Sequence, residues 1–223
     1  MPLAWILGFV SLTGNRQAWG ASPSFTPLSE LHHIHALAVD PRDASTLYAA
    51  THAGLVRLMP GKPWELVGQD HSDFMGFTLD LSQPGAMYAS GHPAASSHRP
   101  NPVGVIVSRD GGQSWQPLEL VGMVDFHAMA FSSPEAVLYG WNVMGTPGLY
   151  RVSANDGTWT RIEATGLQGV FSLASHPSER ETLMAGTRAG LLLSWDGGKA
   201  WASLHSMFAG IPVTDVCHRD SAG

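Results

Sequence analysis

The sequence has one cysteine, Cys217, so no intrachain disulfide can form. Lysine is almost missing: Lys62 and Lys199 are the two present, and 12 basic residues face 18 acidic ones for a net charge of −6. That balance excludes the basic footprint a phosphate backbone requires, so no nucleic-acid partner is expected. No Lys/Arg-rich stretch is available for an anionic membrane surface. No apolar run is long enough to span a bilayer. Only 13% of residues are charged, and no long charged helix is visible. What is abundant is turn and aromatic chemistry: 25 Gly, 15 Pro and 8 Trp, the composition of short strands joined by tight turns. Eleven histidines stand out against the two lysines.

The chain opens on an apolar run, Met1 to Val10, of the length of a signal-peptide core. Ala18-Trp19-Gly20-Ala21 supplies small residues for cleavage. Residues 1–21 are therefore read as an export signal, although no basic residue precedes Arg16; the alternative is a buried first strand. Export implies a periplasmic or extracellular location, with no stable membrane span once the signal is removed.

From residue 34 the sequence repeats. Ile34–Asp40 is matched by Phe74–Leu79, Phe126–Phe131 and Val170–Ser175. After each comes a second apolar segment (Thr46–Ala50, Ala86–Ser90, Val137–Gly140, Thr182–Gly186), then one opening on Gly (Gly54, Gly104, Gly148, Gly190), then a Trp (Trp64, Trp115, Trp159, Trp201). The equivalent positions Ala36, Gly76, Ala128 and Ser172 are spaced by 40, 52 and 44 residues. That is the period of a four-stranded propeller blade, with strands A to D in each unit. Strand A carries large residues on one side (Leu37, Phe77, Met129, Leu173) and small ones on the other, as blades packed face to face require.

The fold class is therefore all-β, a propeller with about four blades at residues 34–68, 74–122, 126–166 and 170–210. Residues 22–223 form this domain. Ile211–His218 reads as strand A of a fifth blade within a partial unit, 211–223. Ser24–Leu28 resembles a D strand that would zip a last blade shut, but its partner strands are missing. The chain thus reads as part of a larger propeller.

The most specific motif is the C–D turn. Ser108, Asp110, Gly112 and Trp115 fit S-x-D-x-G-x-x-W, and Ser194, Asp196, Gly198 and Trp201 repeat it in register. Asp can bond the turn's own amides and Gly permits left-handed backbone. Degenerate copies sit at Gly61/Trp64 and at 153–159. This repeat resembles the BNR/Asp-box propellers: sialidases, sortilin-type propellers, photosystem II stability-factor-like proteins, and bacterial proteins classed as glycosyl hydrolases of this repeat type. The resemblance covers about residues 34–210 and implies that the boxes are structural turns that identify fold, not activity.

Strand A starts, and strand B ends, at one face, and in propellers of this kind the Asp boxes lie at the other. The A starts carry His33 and His35, then Asp73 and Met75, then Asp125 and His127, then Gly169 and Phe171. The B ends carry His52, His92, Val143 and Arg188. One rim thus collects His33, His35, Met75 and His127 as candidate metal ligands. Imidazole suits zinc or copper, and thioether points to Cu(I). His52, His92 and Arg188 are candidate contacts for a small ligand, glycan or protein partner. The alternative is that these side chains pack between blades. The insertion Pro93–Pro102 would lie over the same rim.

Asp73 and Asp125 hold equivalent places on neighbouring blades, as the acid and base of a glycoside hydrolase would. The sialidase resemblance implies an arginine cluster, a Tyr nucleophile with Glu, and an acidic proton donor. Here the Phe-Arg-Ile-Pro start is absent, and Arg57, Arg109 and Arg151 fall on C strands or their turns. No G-x-S-x-G elbow or recognised phosphate loop occurs. The expected function is therefore an exported, non-catalytic propeller that binds a ligand, metal ion or protein at the His-rich rim. The alternatives are a glycoside hydrolase using the two aspartates and an assembly scaffold.

Overall fold

The computed structural model describes residues 24–30, 33–153 and 157–217. The expected signal segment, His32, the degenerate turn at 154–156 and His218 lie outside them. A strand β1 (Phe25–Leu28) precedes four antiparallel units. The first contains β2 (Ile34–Asp40), β3 (Asp43–Thr51), β4 (Gly54–Leu58) and β5 (Trp64–Val67). The second contains β6 (Asp73–Leu79), β7 (Met87–His92), β8 (Val105–Ser108) and β9 (Gln116–Glu119). The third contains β10 (Phe126–Ser132), β11 (Val137–Asn142), β12 (Gly148–Ser153) and β13 (Trp159–Ile162). The fourth contains β14 (Val170–Ser175), β15 (Leu183–Thr187), β16 (Gly190–Ser194) and β17 (Ala202–Ser203). Strands in each unit pair in chain order, which makes each a propeller blade. The protein is all-β with four four-stranded blades, and its described helix is a single 3₁₀ turn, Ser206–Phe208.

The core lies between blades. One buried cluster joins Tyr48, Leu55 and Val67 of the first blade to Phe74, Phe77 and Trp115 of the second. A second joins Val105 to Phe126, Met129 and Phe131. A third joins Ala128, Ala130 and Tyr139 to Leu173, Leu183 and Trp201. The large sides of β6, β10 and β14 each meet the small side of the preceding strand A. A Cβ on Gly76 would fall 2.9 Å from Met129 Cγ, so the second blade can approach the third only with glycine there. Each such large side chain contributes roughly 1.5–3 kcal/mol by leaving water.

The contacts run β2 to β6, β6 to β10 and β10 to β14, and no comparable contact joins β14 back to β2 among the described residues. The consequence is visible on β2. Leu37 is 58% exposed, whereas its equivalents Phe77, Met129 and Leu173 are 5–7% exposed.

Two expectations about the ends change. β1 does not complete a distant blade: it pairs antiparallel with β5, Phe25 opposite Val67 and Leu28 opposite Trp64, as a fifth strand of the first blade. The free edge of β5 offers an unpaired row of backbone groups, and the nearby chain takes it. Arg57 stacks over Phe25, 3.6 Å from the ring centre. At the other end, Ile211–Cys217 forms no strand, because no described segment pairs with it. It follows the path of a fifth blade's entry: Val213 N donates to Thr187 O at 3.0 Å, and Ser172 Oγ donates to Asp215 Oδ1 at 2.9 Å.

Both full Asp boxes close as hydrogen-bonded turns. Asp110 Oδ1 accepts from Ser108 Oγ (2.8 Å) and Ser114 N (3.0 Å), and Gly112 N donates to Ser108 Oγ (2.8 Å). Asp196 Oδ1 accepts from Ser194 Oγ, Lys199 N and Ala200 N, and Gly198 N donates to Ser194 Oγ. Trp115 and Trp201 are buried in the clusters shared with the preceding blade.

Candidate functional site

All four A strands carry the same irregularity. The pairing register slips once between Ile34 and Ala36, Phe74 and Gly76, Phe126 and Ala128, and Val170 and Ser172. The extra residues are His35, Met75, His127 and Phe171. A β-bulge bends its strand and re-aims the side chain it carries. These are the four positions at which the sequence varies between His, Met and Phe.

The carboxylate of each pair comes from the blade that follows. Asp73, at the start of β6, receives His52 from the end of β3: Nδ1 to Oδ2 is 2.7 Å. His35 stands on the other side, Nε2 to Asp73 Oδ1 at 3.5 Å. One ligand atom from each of His35, His52 and Asp73 lies within 4.8 Å of the others. His33 and His35 both make edge contacts with the His52 ring, at 4.8 and 4.5 Å between centres. His35 Nε2 and Asp73 Oδ1 are buried and have no hydrogen-bond partner.

The arrangement recurs one blade on. Asp125, before β10, receives His92 from the end of β7, Nε2 to Oδ2 at 3.4 Å. His127 adds Nε2 at 2.9 Å from the same oxygen. Asp125 is buried, and its amide donates to Asn142 Oδ1 at 2.9 Å. The B–C insertion does lie over this rim: His92 Nδ1 and Asn101 Oδ1 are 2.8 Å apart. Arg99 ties the insertion down through Asp70 at 2.6 Å.

Burial pushes the His35 pKa below its ordinary 6.5, with the neighbouring imidazoles of His52, His127 and His33 acting the same way and Asp73 opposing. The neutral imidazole that results is the form that binds a metal. A tetrahedral site with bonds of ~2.0–2.1 Å has ligands about 3.3 Å apart. The 3.5 Å and 3.4 Å separations at the two aspartates are of that size.

Of the residues singled out from sequence, His33, His35, His52 and Asp73 form one cluster, and His92, Asp125 and His127 form another. Met75 is the extra residue of the bulge in β6, two positions after Asp73. Arg188 is exposed at the matching B end of the fourth blade, its amide bonded to Gly169 O, and it joins neither cluster.

No protein-family profile and no curated protein matches this sequence. Solved structures do resemble the fold. An ancestral GH74 enzyme superposes with a TM-score of 0.60 at 15% identity, covering 83% of this chain and 26% of its own length. A nidogen/laminin complex chain gives 0.58 at 13% identity, covering 85% and 69%. An auxiliary nutrient binding protein from Bacteroides thetaiotaomicron gives 0.56 at 14% identity, covering 73% and 38%. At these identities the likeness establishes the propeller fold and nothing finer. The chain spans about a quarter of the ancestral GH74 enzyme.

Sequence reasoning missed Asn101, Asn142 and the bulges. Asn142 is fully buried, and its amide group also donates to Thr146 O at 2.9 Å. A repeat-phased alignment could have found it, because it ends the third B segment. Asn101 lies in an insertion without counterparts in the other units, so no alignment could point to it. Among the described residues no helix is long and apolar enough to cross a membrane.

Proposed function

We propose that this propeller is an exported binding protein whose His-rich rim takes a transition-metal ion, zinc or copper, on His35, His52 and Asp73. The observation that carries this reading is the pair of buried, unpartnered atoms His35 Nε2 and Asp73 Oδ1, which face each other across 3.5 Å. A neutral imidazole nitrogen and a carboxylate oxygen that lack donors of their own are a cation's ligands. No lysine or arginine pairs with either rim aspartate among the described ion pairs.

The test is elemental analysis and calorimetric titration with zinc and copper salts. Stoichiometric uptake that weakens at least tenfold in Asp73→Asn supports the reading. No uptake by the unaltered protein overturns it. A second reading, glycoside hydrolysis, is favoured by Asp73 and Asp125 sharing one rim. Turnover of a glycoside panel, abolished in Asp125→Asn, would favour it; without turnover it is excluded for that panel.

A further inference from the structure

The first and third blades differ at their outer edges. In the first, β1 pairs with β5, the last strand of the blade. In the third, β13 is the last strand, and no described strand lies beyond it. Beside β13 opens a groove of about 720 Å³, lined by Arg151, Thr160, Arg161 and Ile162 and by Gly197 and Lys199 of the fourth blade's Asp box. We propose that this groove takes an extended, acidic peptide of a partner protein, which adds a strand to β13 as β1 does to β5.

The blades share one repeat, so the residues that hold β1 have counterparts around the groove. Arg151 stands opposite Thr160 as Arg57 stands opposite Glu65. Gly198 faces Leu149 and Ile162 as Gly112 faces Leu55 and Val67, so Lys199 answers to Gln113. In the first blade these places are in use. Phe25 pairs with Val67 and lies under Arg57, 3.6 Å from guanidinium to ring centre. Ser24 N donates to Gln113 Oε1 at 2.7 Å. The second and fourth blades carry Val107 and Leu193 where the first and third carry arginine. The third blade is thus equipped like the first, and its edge offers the backbone groups an incoming strand needs.

The differences set the chemistry of the occupant. Arg57 is neutralised within its own blade by Glu65 at 2.6 Å. Thr160 stands in place of that glutamate, and neither Arg151 nor Lys199 belongs to a described ion pair, whereas Arg161 is paired with Glu163. Side chains two apart on an added strand share a face. The residues opposite Ile162 and Thr160 therefore both point to the Arg151 side. The first calls for an aromatic ring, as Phe25 supplies, and the second for a carboxylate on Arg151. A second carboxylate, one residue before the ring, suits Lys199. None of these groups belongs to the His-rich rim, so the proposal stands apart from metal binding.

The probe is the peptide Glu-Phe-Thr-Glu-Leu with a fluorophore at its C-terminus; it is the Ser24–Leu28 segment with glutamates at the first and fourth places. Fluorescence anisotropy with the whole chain should show saturable binding that weakens as salt rises. Arg151→Gln and Lys199→Gln should each weaken it roughly tenfold, as loss of a charge-assisted hydrogen bond does. Asp73→Asn, at the rim, should leave it unchanged. Hydrogen exchange should slow at the amides of Trp159–Ile162 when the peptide is bound. Lys199 is exposed, so its variant reads the groove without disturbing the core. No saturable binding, or binding indifferent to both cation variants, would overturn the proposal. Exchange protection at the rim instead of β13 would do the same. Equal binding of Ser-Phe-Thr-Pro-Leu would mean that the groove takes β1 of a second copy, which also overturns the acidic partner.

Discussion

His35 is the rim histidine on which burial acts. Its folded pKa lies below the ordinary 6.5, chiefly because burial disfavours the imidazolium. Between that lowered value and 6.5 the unfolded chain binds more protons than the folded one, so stability rises with pH across this window. Acidification from pH 7 through 6.5 should therefore cost stability until the folded value is reached. In the presence of chelator, His35→Gln should show a shallower loss over the same range in urea-unfolding curves measured at each pH. An unchanged slope would place the titration elsewhere. On the proposed reading metal uptake should also weaken in acid, since protons and metal would compete for one lone pair.

At the scale of the element, two devices recur. The bulge in each A strand aims one side chain, and the Asp box closes each full C–D turn. The second glycine of each box is fixed by both backbone and packing. Gly198 has φ +91°, and a Cβ there would fall 2.5 Å from Leu149 Cδ2 of the preceding blade. Gly198→Ala should thus lower stability by about 2 kcal/mol or more, through left-handed strain and overpacking together. Asp110→Ala removes the acceptor of three hydrogen bonds, two from Ser114 and one from Ser108, and should cost about 1.5–3 kcal/mol. Neither change touches the rim. Denaturant melts should therefore shift while zinc stoichiometry does not.

At the scale of the molecule, stability resides in the interfaces between successive blades. Met129 is buried between the second and third blades, and Met129→Ala should cost about 2–5 kcal/mol. Leu37 holds the equivalent place on the first blade but is 58% exposed. Leu37→Ala should change stability by less than about 0.5 kcal/mol, as surface changes do. Paired chemical denaturation of the two variants checks this difference. A large loss at Leu37 would show that its face is covered in solution. Trp64 tells the same story: it is 41% exposed, whereas Trp115 and Trp201 are 4% and 8% exposed against a preceding blade.

The repeat in the sequence determined the blade count, the strand order and the Asp-box turns, because strand alternation and turn chemistry are local. It also determined that His33, His35, His52, Asp73, His92, Asp125 and His127 would share one rim, because equivalent positions of stacked repeats occupy equivalent places. Local pattern has no term for what meets across an interface. Only the tertiary structure decided that each aspartate is approached by the B-end histidine of the preceding blade, and that the bulges bring His35 and His127 within reach. It also decided that Asn101 meets the His92 ring and that Arg188 joins neither cluster. The ends followed the same rule. Ser24–Leu28 carried the pattern of a D strand, but which edge it joined depended on which backbone groups were left unpaired, and that is a property of the folded sheet.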